Sequence, residues 1–347
     1  MNPLKNLSVI RKFVQFLSFL FLVYGSSVVG FYAADKLSAS LPALACAYDS
    51  KTADYCALIV LQHQLDHRVG MVLATGGAVL KALMPTLITL ATFFVFMVIL
   101  SKAFCGWICP LGFFQEIMTL IGQKIGLKSP SSLSDTTVNK LRPMKWFILL
   151  GLVFIFPLMT GLGFLGMSSG FGDAFCRICP SRILTTLMIG DPNQLYVDTS
   201  STSLMIWSVM ADFLFGLIIA IGLTVRQPFC RICPMLALQT VFKKAGLARL
   251  VKNSTEGCSS CGLCAKNCPM DIREIHTQET GDAVHPDCTL CGRCVEFCPR
   301  DNQLAIKYAV APIFTSSKTY CAERTKAQKK WEKGSLIKNT PSLQTES

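Results

Sequence analysis

Cys258, Cys261, Cys264 and Cys268 are spaced CxxCxxCxxxC and closed by Pro269, and the pattern returns complete at Cys288, Cys291, Cys294, Cys298 and Pro299. Three thiolates so close in sequence can wrap three corners of an iron–sulfur cubane, while the fourth cysteine is carried off by the following turn and serves the other cubane. The spacing therefore assigns Cys258, Cys261, Cys264 and Cys298 to one [4Fe–4S] centre, and Cys288, Cys291, Cys294 and Cys268 to its partner. Structural zinc usually takes two separated CxxC pairs, and disulfides need an oxidising compartment. Neither accounts for two full copies that both end in proline.

A second family of cysteines lies upstream. Phe-Cys-Arg-Ile-Cys-Pro occurs at 175–180 and again at 229–234, and Phe104 to Pro110 is a version one residue longer. Each follows an apolar run and precedes an amphipathic segment. Proline at the first turn of that segment sets the cysteine pair at a helix N-terminus, where free N–H groups and the helix dipole favour thiolates and anionic clusters. Arg177, Arg231 and Lys102 put positive charge beside the three pairs.

The elements that must position these cysteines are membrane helices. The chain has 347 residues, 51% of them hydrophobic, and a mean hydropathy of +0.46, too apolar for an ordinary soluble domain. Its formal charge of +12 comes from Lys and Arg that flank the apolar runs, a positive-inside pattern and not an aromatic-interleaved nucleic-acid surface. Spans are expected at about 13–32, 82–100, 146–167 and 204–225. A cleaved leader competes for the first, whose apolar core is longer than a usual leader's. The connection carrying Lys102, Lys124, Lys128, Lys140, Arg142 and Lys145 is basic and hence cytoplasmic, and the loop at about 33–69 lies outside. The fold class is then a multi-pass α-helical membrane protein of about four transmembrane helices, residues 1–253. A C-terminal α+β dicluster domain occupies 254–308, and 309–347 is a basic, mostly disordered tail.

This topology sorts the remaining cysteines. Cys105, Cys109, Cys230 and Cys233 share the cytoplasmic edge, four thiolates for a third cluster, against a reading as reduced structural thiols. Cys46, Cys56, Cys176 and Cys179 share the outer edge, where a metal or cluster site and a disulfide pair both fit. With a hydrocarbon core of ~30 Å between the two edges, a direct electron path from one to the other is not expected. Cys321 is a lone thiol. His63 and His67 stand four apart and would share a helix face, read as solvated surface; His276 and His285 lie in the dicluster domain. With no histidine inside a span, no paired-histidine haem site is offered, and no dinucleotide, P-loop or catalytic motif appears.

Residues 254–308 resemble bacterial dicluster ferredoxins. With four spans, CGWICPLG at 105–112 after the second and CRICP after the fourth, residues 10–308 resemble the NapH/MauN-type membrane ferredoxins, cousins of the ferredoxin portions of NosR and CcoG. The resemblance matches Cys105, Cys109, Cys230 and Cys233 to the family's cytoplasmic cysteine pairs. It implies a cytoplasmic-membrane protein of bacterial type, N-terminus and ferredoxin domain inside, that passes electrons between the quinone pool and a periplasmic or membrane redox partner. Alternatives are a maturation factor reducing a metal or thiol of a client enzyme, and a redox-sensing regulator. The chain departs from the family in having two residues, not three, between Cys230 and Cys233, and in its additional CRICP at 176–180.

Overall fold

The computed structural model describes residues 7–29, 44–49, 53–76, 79–127, 133–165, 170–190, 192–253, 258, 260–277 and 280–333. Three helical stretches among them are long and apolar enough to cross a membrane: Leu83–Leu100, Asp135–Gly161 and Thr202–Gly222. Helix α1 (Leu7–Val29) takes the place of the run expected at 13–32 and packs against the helices Pro110–Ile125 and Pro180–Ile189. It starts earlier because its first turn is tied down: Leu7 N–H donates to the Tyr320 hydroxyl at 2.9 Å, and Ser8 N–H to Glu296 at 2.6 Å.

The last part of the segment expected to be an outer loop, from Ala57 on, is helical. Helix α2 (Ala57–Gln64) continues through a π-helical turn, Leu65–Gly70, into α3 (Met71–Thr75), and reverses at Gly76 into α4 (Val79–Leu100). Gln64 Nε2 donates to Thr89 Oγ1 at 2.8 Å and pins α2 against α4. Gln62 and Asp66 of this stretch are turned inward and buried, while His63, His67 and Arg68 stay exposed. Gly70 also lets the π turn approach Gly161 closely, since a Cβ there would stand 2.6 Å from the Gly161 Cα.

Helix α5 (Pro110–Ile125) follows the first CxxxCP motif, and the span that begins beyond it ends at Gly161, six residues before the expected boundary. The chain then turns back. Phe171 meets Phe156 edge-on at 5.3 Å and Trp207 at 5.4 Å, which folds Ala174–Arg177 against the helical stretch Leu149–Ile155. Helix α6 (Pro180–Ile189), helix α7 (Thr202–Gly222) and helix α8 (Pro234–Val241) complete the membrane unit.

Two strands, β1 (Leu44–Asp49) and β2 (Ala53–Cys56), form an antiparallel pair with Leu44 opposite Cys56. The C-terminal unit has an antiparallel sheet in the order β4-β3-β5-β6, from β3 (Ala248–Lys252), β4 (Gly281–Asp282), β5 (Leu304–Tyr308) and β6 (Ala311–Thr315). It therefore begins before 254 and runs past 308. Residues read as a disordered tail form β6 and helix α9 (Lys318–Lys333), because Ile306 pairs with Phe314 and Tyr320 donates to Glu296 at 2.8 Å. Cys321 is buried there. Residues 334–347 lie outside the described residues.

Candidate iron–sulfur centres

Both ferredoxin-like motifs contain glycine between the second and third cysteine, and the structure gives the reason. Gly262 and Gly292 have φ of +66° and +78°, a left-handed turn that bends the chain so that consecutive cysteines face one point. Cys258, Cys261, Cys264 and Cys298 line one cavity with Ile275, Leu304 and other residues, about 380 Å³ of empty space partly open to solvent. Cys268, Cys288, Cys291 and Cys294 line a second of about 370 Å³, which Ile275 also walls. The crossed pairing of each fourth cysteine with the other motif is thus how the side chains converge. Among the described residues no three His, Cys, Asp or Glu close on a single metal ion. The thiols stand around a volume, which suits a polynuclear cluster bonded at its corners. Burial pushes the Cys264 and Cys288 thiols up to about 11 and Cys268 further still, so taking up a metal here displaces protons.

A third cavity, about 530 Å³, is lined by Cys105, Cys109, Cys230 and Cys233, with Phe104, Leu111, Phe229 and Met235 among its apolar walls. Cys109 and Cys233 are the N-caps of α5 and α8, each followed by proline in the first turn, as the motif predicts. Gln115 accepts from the Phe229 N–H at 3.0 Å and turns its amide toward the Cys230 sulfur, 3.6 Å away. Cys105 in turn donates to Gln239 Oε1 at 3.1 Å. Thr289 walls this cavity and the second one alike.

Cys179 walls the same cavity. It lies within electrostatic range of Cys56 and Cys109, and Cys56 in turn of Cys176. The expected separation of these cysteines from the inner pairs by a membrane thickness is corrected here: the chain re-enters after Gly161, and α2 runs back beside α4. Cys176 and Cys179 are not joined by a disulfide. Cys46 sits on β1, and its side chain lies outside the described residues.

A 4Fe-4S binding domain model matches residues 82–128 and again 207–252, and a 4Fe-4S dicluster domain model matches 250–309. These segments contain twelve of the thirteen cysteines that line the three cavities, all but Cys179. The chain is of the ferredoxin-type 4Fe–4S superfamily. Among curated proteins this ferredoxin-type chain is 30% identical to an uncharacterized protein of Methanocaldococcus jannaschii, over 50% of this chain and 61% of that one. It is 27% identical to a putative electron transport protein, YccM, of Escherichia coli, over 54% and 46%. A methylamine utilization ferredoxin-type protein, MauN, of Methylobacillus flagellatus is 24% identical over 54% of each. The aligned stretch thus covers less than two thirds of each relative. No solved structure matches the chain.

The cations beside the motifs of this ferredoxin-type chain have structural partners in addition to the neighbouring cysteines, Lys102 near Cys105 and Arg231 near Cys230. Arg231 donates to the Pro269 carbonyl at 2.9 Å and pairs with Asp271 at 2.7 Å, bracing the turn after Cys268. Arg177 pairs with Asp173 at 2.6 Å. Lys102 is fully buried and donates to Thr240 Oγ1 at 2.9 Å and to the Pro286 carbonyl. Desolvation lowers it to about 8, against the attraction of nearby Cys288 and Cys105. His63 and His67 do share a face, their rings 5.9 Å apart, with His67 exposed. The sequence reading misses Gln115 and Gln239; their signal is a glutamine six residues after Cys109 and after Cys233.

Proposed function

We propose that this chain is a membrane-anchored iron–sulfur electron carrier, linking the quinone pool to a partner oxidoreductase in the cytoplasmic membrane. Cys258, Cys261, Cys264 and Cys298 would hold one [4Fe–4S] cluster, Cys288, Cys291, Cys294 and Cys268 a second, and Cys105, Cys109, Cys230 and Cys233 a third. Such clusters, when bound, take up and release single electrons. The observation that carries this reading is the shared wall between neighbouring cavities, Ile275 between the first and second and Thr289 between the second and third. A carrier needs centres in sequence, and three quartets that adjoin meet that need. Around them the chain's own residues fix the geometry: Trp107 Nε1 donates to the Leu290 carbonyl at 3.0 Å, and Gln15 to the Gly106 carbonyl at 2.9 Å. The contacts of Leu7 and Ser8 with the ferredoxin unit support placing it and the N-terminus on one side of the membrane, which the basic loops make cytoplasmic.

The test is reduction of the protein in lipid vesicles, followed by addition of a membrane-confined quinone. Recovery of the oxidised absorption on adding quinone supports the carrier. Clusters that persist reduced beside the quinone while soluble ferricyanide oxidises them would overturn the quinone link.

A further inference from the structure

The inner pair of motifs is held by a glutamine in a specific way. On α5, Gln115 lies six residues beyond Cys109, donates to the Leu111 carbonyl at 3.2 Å, accepts from the Phe229 N–H at 3.0 Å and points its amide at the Cys230 sulfur. On α2, Gln62 lies six residues beyond Cys56. It donates to the Leu58 carbonyl at 3.1 Å, accepts from the Phe175 N–H at 3.1 Å and donates to the Cys176 sulfur at 3.0 Å. Leu58 and Leu111 are each two residues past their cysteine, and Phe175 and Phe229 each open FCRICP. Three bonds to corresponding atoms of corresponding residues describe one device built twice. Both glutamines are almost completely buried, at 0% and 1% exposure. A buried amide aimed at a sulfur is expensive unless that sulfur is a strong acceptor, which a metal-bound thiolate is.

The cysteines around Gln62 complete the likeness. Cys179, like Cys109 and Cys233, caps a helix whose first residue is proline. Cys56 immediately precedes α2, as Cys109 precedes α5. Cys46 lies on β1, two residues beyond Leu44, whose strand partner is Cys56. The matched domain models begin at 82, stop at 128 and resume at 207, leaving Cys46, Cys56, Cys176 and Cys179 outside them.

We infer that Cys56, Cys176 and Cys179, with Cys46 as fourth ligand, form a further [4Fe–4S] site, an internal copy of the one at Cys105, Cys109, Cys230 and Cys233 and next to it in the bundle. This deepens the carrier reading by extending the row of centres along α2, and it rests on the third site being a cluster site too.

The experiment is iron and acid-labile sulfide per chain on anaerobically purified full-length protein, with electron paramagnetic resonance of the reduced state. About sixteen irons are expected in the wild type. C56S/C176S should lose about four and retain the signal that C109S/C233S removes. Because paired substitutions in a core can unfold it, Q62L gives a second readout: it should keep its iron and shift the resonance of one centre, and Q115L should shift that of another. About twelve irons in the wild type, of which C109S/C233S loses about four and C56S/C176S none, with Q62L spectroscopically silent, overturns this site and leaves the third intact. About eight overturns both. A disulfide between Cys176 and Cys179 in peptides from the alkylated, non-reduced protein overturns this site alone.

Discussion

Gly106 shows how much a single residue between two cysteines can decide. A Cβ there would collide with the Thr289 carbonyl, the residue that walls both the second and third cavities. Nothing in the cysteine spacing makes this visible, since the glycine of CGWICP reads as loop chemistry until the opposing backbone is known. G106A is therefore expected to push the ferredoxin unit off the membrane unit at the cost of overpacking, about 1–3 kcal/mol. A thermal melt lower by a few degrees, with altered magnetic coupling between the second and third centres, is the expected result. An unchanged melt and spectrum would show that the two backbones part freely. At this scale the sequence was legible where the chemistry is covalent, because thiolate spacing is dictated by the cluster. Gln62, Gln115 and Gln239 were not, because a lone glutamine in an apolar helix names no partner.

Polar contacts join the two units beside apolar packing by Leu7 and Leu236, and they centre on Asp287, which pairs with both Lys145 and Arg142. Lys145, 2% exposed, pairs with Asp287, 7% exposed. D287N leaves the ammonium buried without its counter-charge, a change worth about 3–5 kcal/mol. Faster hydrogen exchange in β3 and in Cys288–Cys294 is the measurement that would show it. Arg142 and Glu274, joined by two bonds at 2.6 and 3.1 Å, are more open to water and contribute about 1 kcal/mol or less. Burial alone would raise the Glu274 carboxyl, but the Arg142 hydrogen bonds and the nearby charges bring it down to about 2. Its folded value lies below the unfolded one of about 4.3, so its contribution is present above pH ~4 and lost as the pH falls toward 2. E274Q should abolish that part of the acid dependence, read as domain release by limited proteolysis, by forfeiting the same contribution of about 1 kcal/mol or less already at pH 7. Helices α4 and α7 were legible as apolar runs bounded by charge. The helical path from Ala57 to Thr75 was not, since its inward glutamines and its Asp and His look like loop residues. The re-entry after Gly161 depends on Phe171 finding Phe156 and Trp207, contacts that no local pattern announces.

For the whole molecule, the consequence is a row of cavities that begins in the ferredoxin unit and ends among the helices. The third cavity stands between the ferredoxin side, which it touches through Thr289, and Cys56, which lies within electrostatic range of its wall Cys179. If electrons reach a membrane quinone along this row, removing the middle must strand those at the ferredoxin end. In vesicles holding a long-chain quinone, the pre-reduced wild type should reoxidise through the membrane. C109S/C233S should hold its ferredoxin clusters reduced, slowing reoxidation by about tenfold or more, equivalent to about 1.4 kcal/mol or more in barrier. A soluble oxidant supplies the control, because Cys261 is exposed and its cluster should react at the same rate in both proteins. Equal rates with the quinone as well would mean that the ferredoxin unit meets the quinone directly, and that the cysteines within the helices serve another purpose than conduction. A difference confined to the quinone would tie the order of the cavities to the direction in which charge moves.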